Sequence, residues 1–196
     1  MIKKIKDKLI GKRIVLKKNT PTILLANAMF KVVNENRKHL RPWFPWEKLT
    51  LKPEDSLKYL FETEEKFKAG KKVDYGIYIN NKYAGSVGIF DINKENKTAE
   101  IGYWLSDKFI KKGYTTEAVK IMEKEFFTNG NLNRIQIRCD EKNIASSGVA
   151  KKCGYIFEGK HREDSYNNYF KGFRSTLVFS KLKSDYRKEK NKKIKQ

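Results

Sequence analysis

The residues whose types and spacing are best suited to chemistry lie between Glu100 and Gly159. Residues 100–105 alternate as a strand, and the turn 111–115 (Lys-Lys-Gly-Tyr-Thr) leads into an amphipathic helix predicted from Thr116 to Phe127. A glycine turn that opens a helix presents unpaired backbone amides, and the helix dipole adds partial positive charge there. The pattern therefore predicts a place that holds phosphate.

A second strand, turn and helix follow immediately. Residues 134–139 alternate as a strand, residues 143–146 read Asn-Ile-Ala-Ser, and a short helix from Ser146 to Cys153 ends at Gly154. A glycine turn alone has an ordinary alternative, a simple helix cap. The succession of two strand-turn-helix units along the chain is what favours a ligand site.

The elements that must position these residues indicate an α+β fold with a mostly antiparallel sheet. Hydrophobic period, prolines and turn residues separate them. The predicted elements are a strand at 14–16, a helix at 23–33 capped by Thr20-Pro21, a rigid aromatic loop at 40–46, a helix from Pro53 to Gly70, a hairpin at 75–90 turning at Asn80-Asn81, a strand at 98–105, and late strands at 155–157 and 169–179. We predict one domain over residues 1–183 and a basic, frayed tail over 184–196.

Composition limits the class of protein. The 196 residues suffice for one domain with a real core, and no apolar run approaches the roughly 20 residues of a membrane helix. The charged N-terminus, residues 1–8, lacks the apolar stretch of a leader, so we expect a cytoplasmic protein that does not bind a membrane. Cys139 and Cys153 are expected to be buried and reduced, and no metal site is expected.

The formal net charge of +21 is the unusual feature of the composition. A field of this strength attracts polyanions, which includes weak attraction to RNA or the ribosome. The alternative is a general preference for lysine, since the excess is spread along the chain.

The strand at 100–105, the turn at 111–115 and the helix that follows resemble the acetyl-CoA-binding motif of the GNAT acyltransferase superfamily. The family pattern Gln/Arg-x-x-Gly-x-Gly/Ala stands here as Ile110-Lys111-Lys112-Gly113-Tyr114-Thr115, which keeps only the central glycine. The strand, turn and helix at 134–154 and the segment Trp43-Phe44-Pro45-Trp46 extend this resemblance. With them, the chain resembles most closely the branch that contains the ribosomal-protein N-acetyltransferases. The resemblance implies a GNAT-type mixed, mostly antiparallel sheet with a splayed central strand pair and flanking helices.

The resemblance also implies the cofactor and its contacts. Acetyl-CoA would donate acetyl directly to an amine, without a covalent enzyme intermediate and without a metal. The implied cofactor-binding residues are Ile101, Tyr103, Trp104, Leu105, Lys111, Lys112, Gly113, Tyr114, Thr115, Thr116, Asn143 and Ser146.

Catalysis requires a base for the ammonium, a donor to the thioester carbonyl and a donor to the leaving thiolate. The resemblance places the carbonyl donor on the backbone of residues 103–105. The tyrosine that many relatives use as acid is replaced by Ala150, and the resemblance then implies Ser146, which could equally cap its helix, with Ser147 as a competitor.

The base is less defined, because Ser165 stands where related enzymes have a glutamate. Glu163 and Asp164 are the candidates we rank first. His161 has a suitable intrinsic pKa, and Glu100, at the start of the cofactor strand, is ranked lowest.

The acceptor pocket is expected to include Trp43 and Trp46, because rigid aromatic residues between prolines give shape at little entropic cost. A hydrophobic plug between the first two helices is the alternative. The leading function is acetylation of a protein N-terminus of ribosomal type. Acetylation of an antibiotic, polyamine or amino-sugar, and a catalytically silent acyl-CoA-binding module, remain alternatives; a homodimer is among the expected assemblies.

Overall fold

The computed structural model describes residues 5–194 as one eight-stranded sheet with helices on both faces. The strands are β1 (Lys8–Ile10), β2 (Val15–Lys18), β3 (Val73–Ile79), β4 (Lys82–Asn93), β5 (Thr98–Leu105), β6 (Arg134–Asp140), β7 (Ile156–Asn167) and β8 (Gly172–Leu182). The α-helices are α1 (Ile23–Glu35), α2 (Arg37–Leu40), α3 (Pro53–Lys68), α4 (Tyr114–Thr128), α5 (Ile144–Lys152) and α6 (Lys183–Ile194).

The sheet has the order β1-β2-β3-β4-β5-β6-β8-β7, and every neighbouring pair is antiparallel except β5 and β6. The hairpin formed by β3 and β4 turns at Asn80 and Asn81, both with positive φ, as the sequence predicts. The predicted mixed, mostly antiparallel fold is confirmed.

The central parallel pair separates soon after it begins. Only Thr98, Ala99 and Glu100 of β5 have register partners on β6. Beyond them β5 continues beside β4 as far as Leu105, while β6 continues beside β8 as far as Asp140. The two strands therefore diverge, and the β6-facing edge of residues 101–105 has no strand partner among the described residues.

The two faces of the sheet follow from alternation along its strands. Ile101 and Leu105 of β5 pack in the main core with Val119 and Met122 of α4. Trp104, between them in sequence, packs instead with a smaller cluster that joins α1 and α3 to β4. Because successive strand residues point to opposite faces, α4 lies on one face and α1 and α3 lie on the other.

Two sequence-based details near the N-terminus are corrected. The first helix is capped by Thr22, whose Oγ1 accepts from the Leu25 amide at 3.2 Å, and not by Thr20. Thr22 has the extended backbone that an N-cap requires, and Pro21 therefore precedes the cap. The segment 40–46, predicted as a rigid aromatic loop, begins at the last residue of the short helix α2 and ends inside a 3₁₀ helix, Pro45–Leu49.

The prediction of a frayed tail after Ser184 is wrong, because residues 183–194 form α6. Two tertiary contacts anchor this polar helix. The Tyr186 ring lies 5.5 Å from that of Phe127, and the Glu189 carboxylate accepts from the buried Lys181 ammonium at 2.8 Å. The end of the predicted tail, residues 195–196, and the start of the charged N-terminal stretch, residues 1–4, lie outside the described residues.

Within residues 5–194, no helix combines the length and apolarity needed to cross a membrane. The same residues contain no cluster of three or more metal-ligating side chains. Cys139 and Cys153 are both buried and unpaired, as predicted.

Candidate active site

The predicted phosphate turn adopts the backbone of an anion-binding helix start. Gly113 has φ +79° and is the N-cap of α4, and Lys111 also has positive φ. No side chain caps this helix, so its first-turn amides remain available. Tyr114, Thr115 and Thr116 form that first turn, and Lys111 and Lys112 are exposed beside it. The turn therefore fits the pyrophosphate of a nucleotide cofactor.

The gap between the diverging strands forms a cavity of about 420 Å³, here called the splay cavity. Its walls include Ile101 and Tyr103 of β5, Cys139 of β6, and Asn143 and Ser146 at the start of α5. The structure thus brings together the residues that the sequence assigned separately to the strand and to the second helix.

Tyr103 bridges the gap. Its hydroxyl donates to the Ser146 carbonyl oxygen at 3.1 Å and lies 3.1 Å from Ser146 Oγ. Burial raises the pKa of Tyr103 well above its ordinary value, so the phenol stays protonated at neutral pH. Two hydroxyl groups are therefore present together at the wall of the cavity.

Asn143, and not Ser146, caps α5. The Asn143 side-chain oxygen accepts from the Ser146 amide at 3.0 Å, which leaves the Ser146 hydroxyl free of a capping role. Ser147 donates its hydroxyl to the Ile144 carbonyl at 3.2 Å and is not part of the cavity wall. Of the two serines, Ser146 is the one that faces the gap.

Glu100 occupies the floor of the splay cavity. Burial raises the pKa of its carboxyl to about 6, although the positive charge of Arg138 and a hydrogen bond from Gln136 at 3.2 Å act in the opposite direction. A carboxyl with such a pKa is ionised at neutral pH and still basic enough to accept a proton. This residue, ranked lowest from the sequence, has the environment of a catalytic base.

The structure places the other two carboxylates proposed from the sequence, Asp164 and Glu163, in different surroundings. Asp164 lines the splay cavity, where it accepts from the Thr176 hydroxyl at 2.8 Å and pairs with Arg138 at 3.3 Å. Glu163 is exposed in a bulge of β7 with φ +49°, and it lines neither cavity described here. The bulge turns Glu163 outward and Asp164 inward, so the structure contradicts the placing of Glu163 in the site.

His161 and Ser165 lie on the same strand as Asp164. The His161 Nδ1 atom is 3.8 Å from the Asp164 carboxylate and its side chain is exposed. Ser165 lines the cavity, and its Oγ accepts from Arg174 Nε at 2.7 Å. These contacts make the β7 side of the cavity a charged, hydrogen-bonded wall.

A larger cavity of about 670 Å³, here called the acceptor cavity, opens on the face that carries α1 and α3. It meets the splay cavity at four shared wall residues: Phe44, Phe90, Gly102 and Tyr103. A Cβ on Gly102 would come within 2.8 Å of the Phe90 ring, so glycine leaves the room that this ring needs at the junction.

Aromatic rings dominate one end of the acceptor cavity. Trp46 and Trp104 pack with ring centroids 5.8 Å apart, and Phe44 lies 5.3 Å from Trp46. Trp46, predicted to line an acceptor pocket, is part of the wall of this cavity. Trp43 lines the splay cavity instead.

The opposite end of the acceptor cavity is polar and centred on Asp74, which is 5% exposed. Its carboxylate accepts from Asn19, from the Tyr59 hydroxyl at 3.0 Å and from the Ser86 hydroxyl at 3.0 Å. Lys72 in turn donates to the Tyr59 oxygen at 2.8 Å. Burial and the charge of Asp74 raise the pKa of Tyr59 well above its ordinary value, which keeps this phenol a donor.

The aromatic segment is held rigidly from both sides. Glu47, 1% exposed, accepts from Arg37 at 2.8 Å and from Arg41 at 3.1 Å, which fixes the 3₁₀ helix that carries Trp46. Across the splay cavity, Asn167 donates to the Pro42 carbonyl at 2.9 Å and the Trp43 ring lies 5.8 Å from that of Phe170. The β7–β8 turn and the aromatic segment therefore contact each other beside the splay cavity, whose wall includes Trp43.

Sequence reasoning missed Tyr59 and Asp74 as wall residues. A tyrosine among the charged positions of an amphipathic helix, and an aspartate inside an otherwise apolar strand, were the available signals. Neither indicates by itself that the two side chains meet.

Comparisons with known proteins agree with this geometry. The Acetyltransferase (GNAT) domain family matches residues 13–156. YdaF of Bacillus subtilis, named only provisionally as a ribosomal N-acetyltransferase, is 31% identical over 119 residues, 60% of this chain and 63% of its own length. The ribosomal-protein-serine acetyltransferase of Escherichia coli is 26% identical over 140 residues, 71% of this chain and 78% of its own.

The chain thus spans a little under two thirds of the first of these relatives. Among solved structures, the microcin C7 self-immunity acetyltransferase MccE, in complex with acetyl-CoA and AMP, superposes with a TM-score of 0.83 at 25% identity, over 91% of this chain and 98% of that one. The predicted resemblance, including that to the ribosomal-protein branch, is confirmed. The chain belongs to the GNAT acetyltransferase family.

Proposed function

We propose that this protein is an acetyl-CoA-dependent N-acetyltransferase that acts on a primary amine, with a protein N-terminus as the first candidate acceptor. The observation that carries the proposal is the meeting of two cavities at Gly102 and Tyr103. One cavity lies in the gap between β5 and β6, and the other opens on the face that carries α1 and α3. A donor that occupies the gap and an acceptor that enters the second cavity would therefore meet at the same point.

The residues present fit the cofactor. First-turn amides of α4 and the neighbouring lysines suit its pyrophosphate, and the unpaired edge of residues 101–105 suits the amides of its pantetheine arm. When bound, acetyl-CoA supplies the activated acetyl thioester. The MccE structure, which contains acetyl-CoA, supports the assignment of this cofactor.

Three groups of this chain perform the remaining chemistry. Unpaired backbone amides on the edge of residues 103–105 donate to the thioester oxygen as it gains negative charge. Ser146 or Tyr103 donates a proton or hydrogen bond to the departing sulfur, because both hydroxyls face the gap and the Tyr103 phenol stays protonated.

Glu100 accepts the proton of the acceptor ammonium. It lines the splay cavity, where the two cavities meet at the neighbouring Gly102, and its raised pKa suits a base at neutral pH. Asp164 is the alternative base, but its hydrogen bond from Thr176 and its ion pair with Arg138 engage both of its carboxylate oxygens.

The relatives named for ribosomal-protein acetylation favour a protein N-terminus as the acceptor. A small amine is the second candidate, and one observation favours it. The acceptor cavity has a volume of about 670 Å³, so a compact molecule fits within it, whereas a peptide places only its first residues there.

The test is an acceptor panel with the full chain. The protein is incubated with acetyl-CoA and with peptides that begin with serine or alanine, the same peptides blocked at the N-terminus, polyamines, amino-sugars and aminoacyl nucleosides. Thiol release gives the rate, and mass spectrometry locates the acetyl group. We expect acetylation of the α-amine in open peptides and no reaction of the blocked ones.

Turnover of a small amine alone would replace the first candidate acceptor with the second. Binding of CoA without turnover on any acceptor would overturn the proposal and favour a silent acyl-CoA-binding module.

A further inference from the structure

The phosphate turn lacks the guanidinium or amide side chain that begins the family motif, because Ile110 stands at that position. The turn itself offers two exposed lysines. A lysine ammonium is a flexible point charge, whereas a guanidinium binds phosphate oxygens through a planar pair of donors. The structure contains a guanidinium at this turn, from a different part of the chain.

Arg13 reaches the turn from the connection between β1 and β2. Its Nη1 donates to the Lys112 carbonyl at 2.8 Å, and its guanidinium carbon lies 4.8 Å from the centre of the Tyr114 ring. Its Nη2 would be 3.4 Å from a Cβ placed on Gly113, the N-cap of α4. The guanidinium therefore lies directly beside the amides of the helix start.

Glu117 fixes the orientation of Arg13. Its two carboxylate oxygens accept from the Arg13 backbone amide at 2.8 Å and from Nε at 2.9 Å. Gly11 leaves room for this carboxylate, since a Cβ there would lie 2.6 Å from Glu117 Oε1. The side chain is thus held in place before any ligand arrives, which lowers the entropic cost of binding.

Donors remain available on the held guanidinium. One donor of Nη1 and that of Nε are used, whereas Nη2 has no hydrogen-bond partner among residues 5–194. The Arg13 side chain is 49% exposed. The only carboxylate that pairs with it within this range is that of Glu117, so the turn retains the net positive charge of Lys111 and Lys112.

We propose that Arg13 binds the pyrophosphate of acetyl-CoA through Nη2 and the free Nη1 donor, and so supplies from the β1–β2 connection the guanidinium that the motif lacks. Glu117 is the positioning residue for it. The inference rests on the proposed function, because it requires the cofactor site at α4.

The experiment compares thioesters with and without phosphate. Initial rates are measured for Arg13→Gln with acetyl-CoA, acetyl-dephospho-CoA and S-acetylpantetheine, which retains the reacting arm and carries no phosphate. We expect kcat/KM to fall about 10- to 100-fold with the first two, mainly through KM, because a hydrogen-bonded charge pair is lost. With S-acetylpantetheine the change should stay within about 2-fold.

Two further variants support the reading. Glu117→Gln should show the same selective loss to a smaller degree, because it releases the guanidinium without removing it. Lys124→Gln removes one positive charge from an exposed position of the same helix, far from its N-terminus, and serves as the control that should match the parent protein.

Equal losses with acetyl-CoA and S-acetylpantetheine would mean that Arg13 only holds the fold, and would overturn the inference. A loss that disappears with acetyl-dephospho-CoA would assign Arg13 to the 3′-phosphate and would overturn the pyrophosphate contact. Absence of activity of the parent protein with every thioester would instead count against the proposed function.

Discussion

Replacing Glu100 by glutamine is the sharpest test of how this site removes the acceptor proton. Glutamine keeps the size of the side chain and can accept the hydrogen bond from Gln136 through its amide oxygen. It cannot accept the proton. We expect kcat to fall about 10²- to 10³-fold, within the range that a positioned general base contributes.

The pH dependence follows from the raised pKa of Glu100, which is about 6 and not the ordinary 4.5. The rate of the parent protein should rise between pH 5 and 7 as this carboxyl ionises, and that rise should be missing in Glu100→Gln. The contribution of Glu100 to the free energy of unfolding should fall as the pH rises. The folded state binds the proton more tightly than the unfolded chain, so the contribution of Glu100 is full below about pH 4.5 and is lost as pH rises through 6.

The magnitude of that stability effect is at most about 2 kcal/mol, since one pKa unit corresponds to about 1.4 kcal/mol. Above pH 7 the Glu100→Gln variant should therefore be at least as stable as the parent protein while being far less active. A slow variant that is also unstable would point to damaged structure.

Thiol release under saturating acetyl-CoA measures the rate, and thermal unfolding measures stability, both from pH 5 to 8.5. Asp164→Asn is the competing variant and Glu163→Gln the surface control. The assignment of Glu100 would be refuted by a parent-like rate and pH profile in Glu100→Gln, and most directly if Asp164→Asn lost the acidic limb instead.

Three further predictions concern the hydroxyl pair, the acceptor wall and the anchor of α6. Tyr103→Phe and Ser146→Ala should each lower kcat more than the affinity for CoA, measured by calorimetry; unchanged kcat in one of them would assign the proton to the other. Trp46→Ala should raise KM for the acceptor several-fold and leave that for acetyl-CoA unchanged, in steady-state kinetics. Lys181→Met should cost about 3 kcal/mol at pH 8, because Lys181 is fully buried against Glu123, whose pKa burial raises to about 7. The cost should shrink towards pH 5, where Glu123 is protonated, and Lys188→Met, at an exposed position of α6, should cost little in thermal unfolding.

Much of the phosphate half of the site could be predicted from the sequence. A glycine with positive φ before a helix, and lysines beside it, are local features that a short run of residues specifies. The hairpin at Asn80-Asn81 and the strands on either side of the gap are local in the same sense. The splayed central pair was predicted from the resemblance of these elements to the GNAT family.

The catalytic half could not be predicted in this way, because it depends on contacts between distant segments. The pKa of Glu100 is set by its burial and by groups on β6, and the roles of Glu163 and Asp164 are separated by a bulge in β7. Arg13 meets its turn across about one hundred residues of sequence. Neither spacing nor residue type indicates such meetings.

The sequence by itself therefore determined the fold class, the resemblance to the family and the helix start that we propose as the phosphate site, since these depend on hydrophobic period, turn chemistry and local motifs. Only the tertiary structure decided which carboxylates line the splay cavity, which serine faces the gap and where the aromatic segment contacts its wall. It also showed that the basic end of the chain is a helix, because the contacts of Tyr186 and Glu189 that hold α6 come from other elements. Side chains acquire their burial, and hence their pKa and reactivity, from neighbours that only the folded chain brings together.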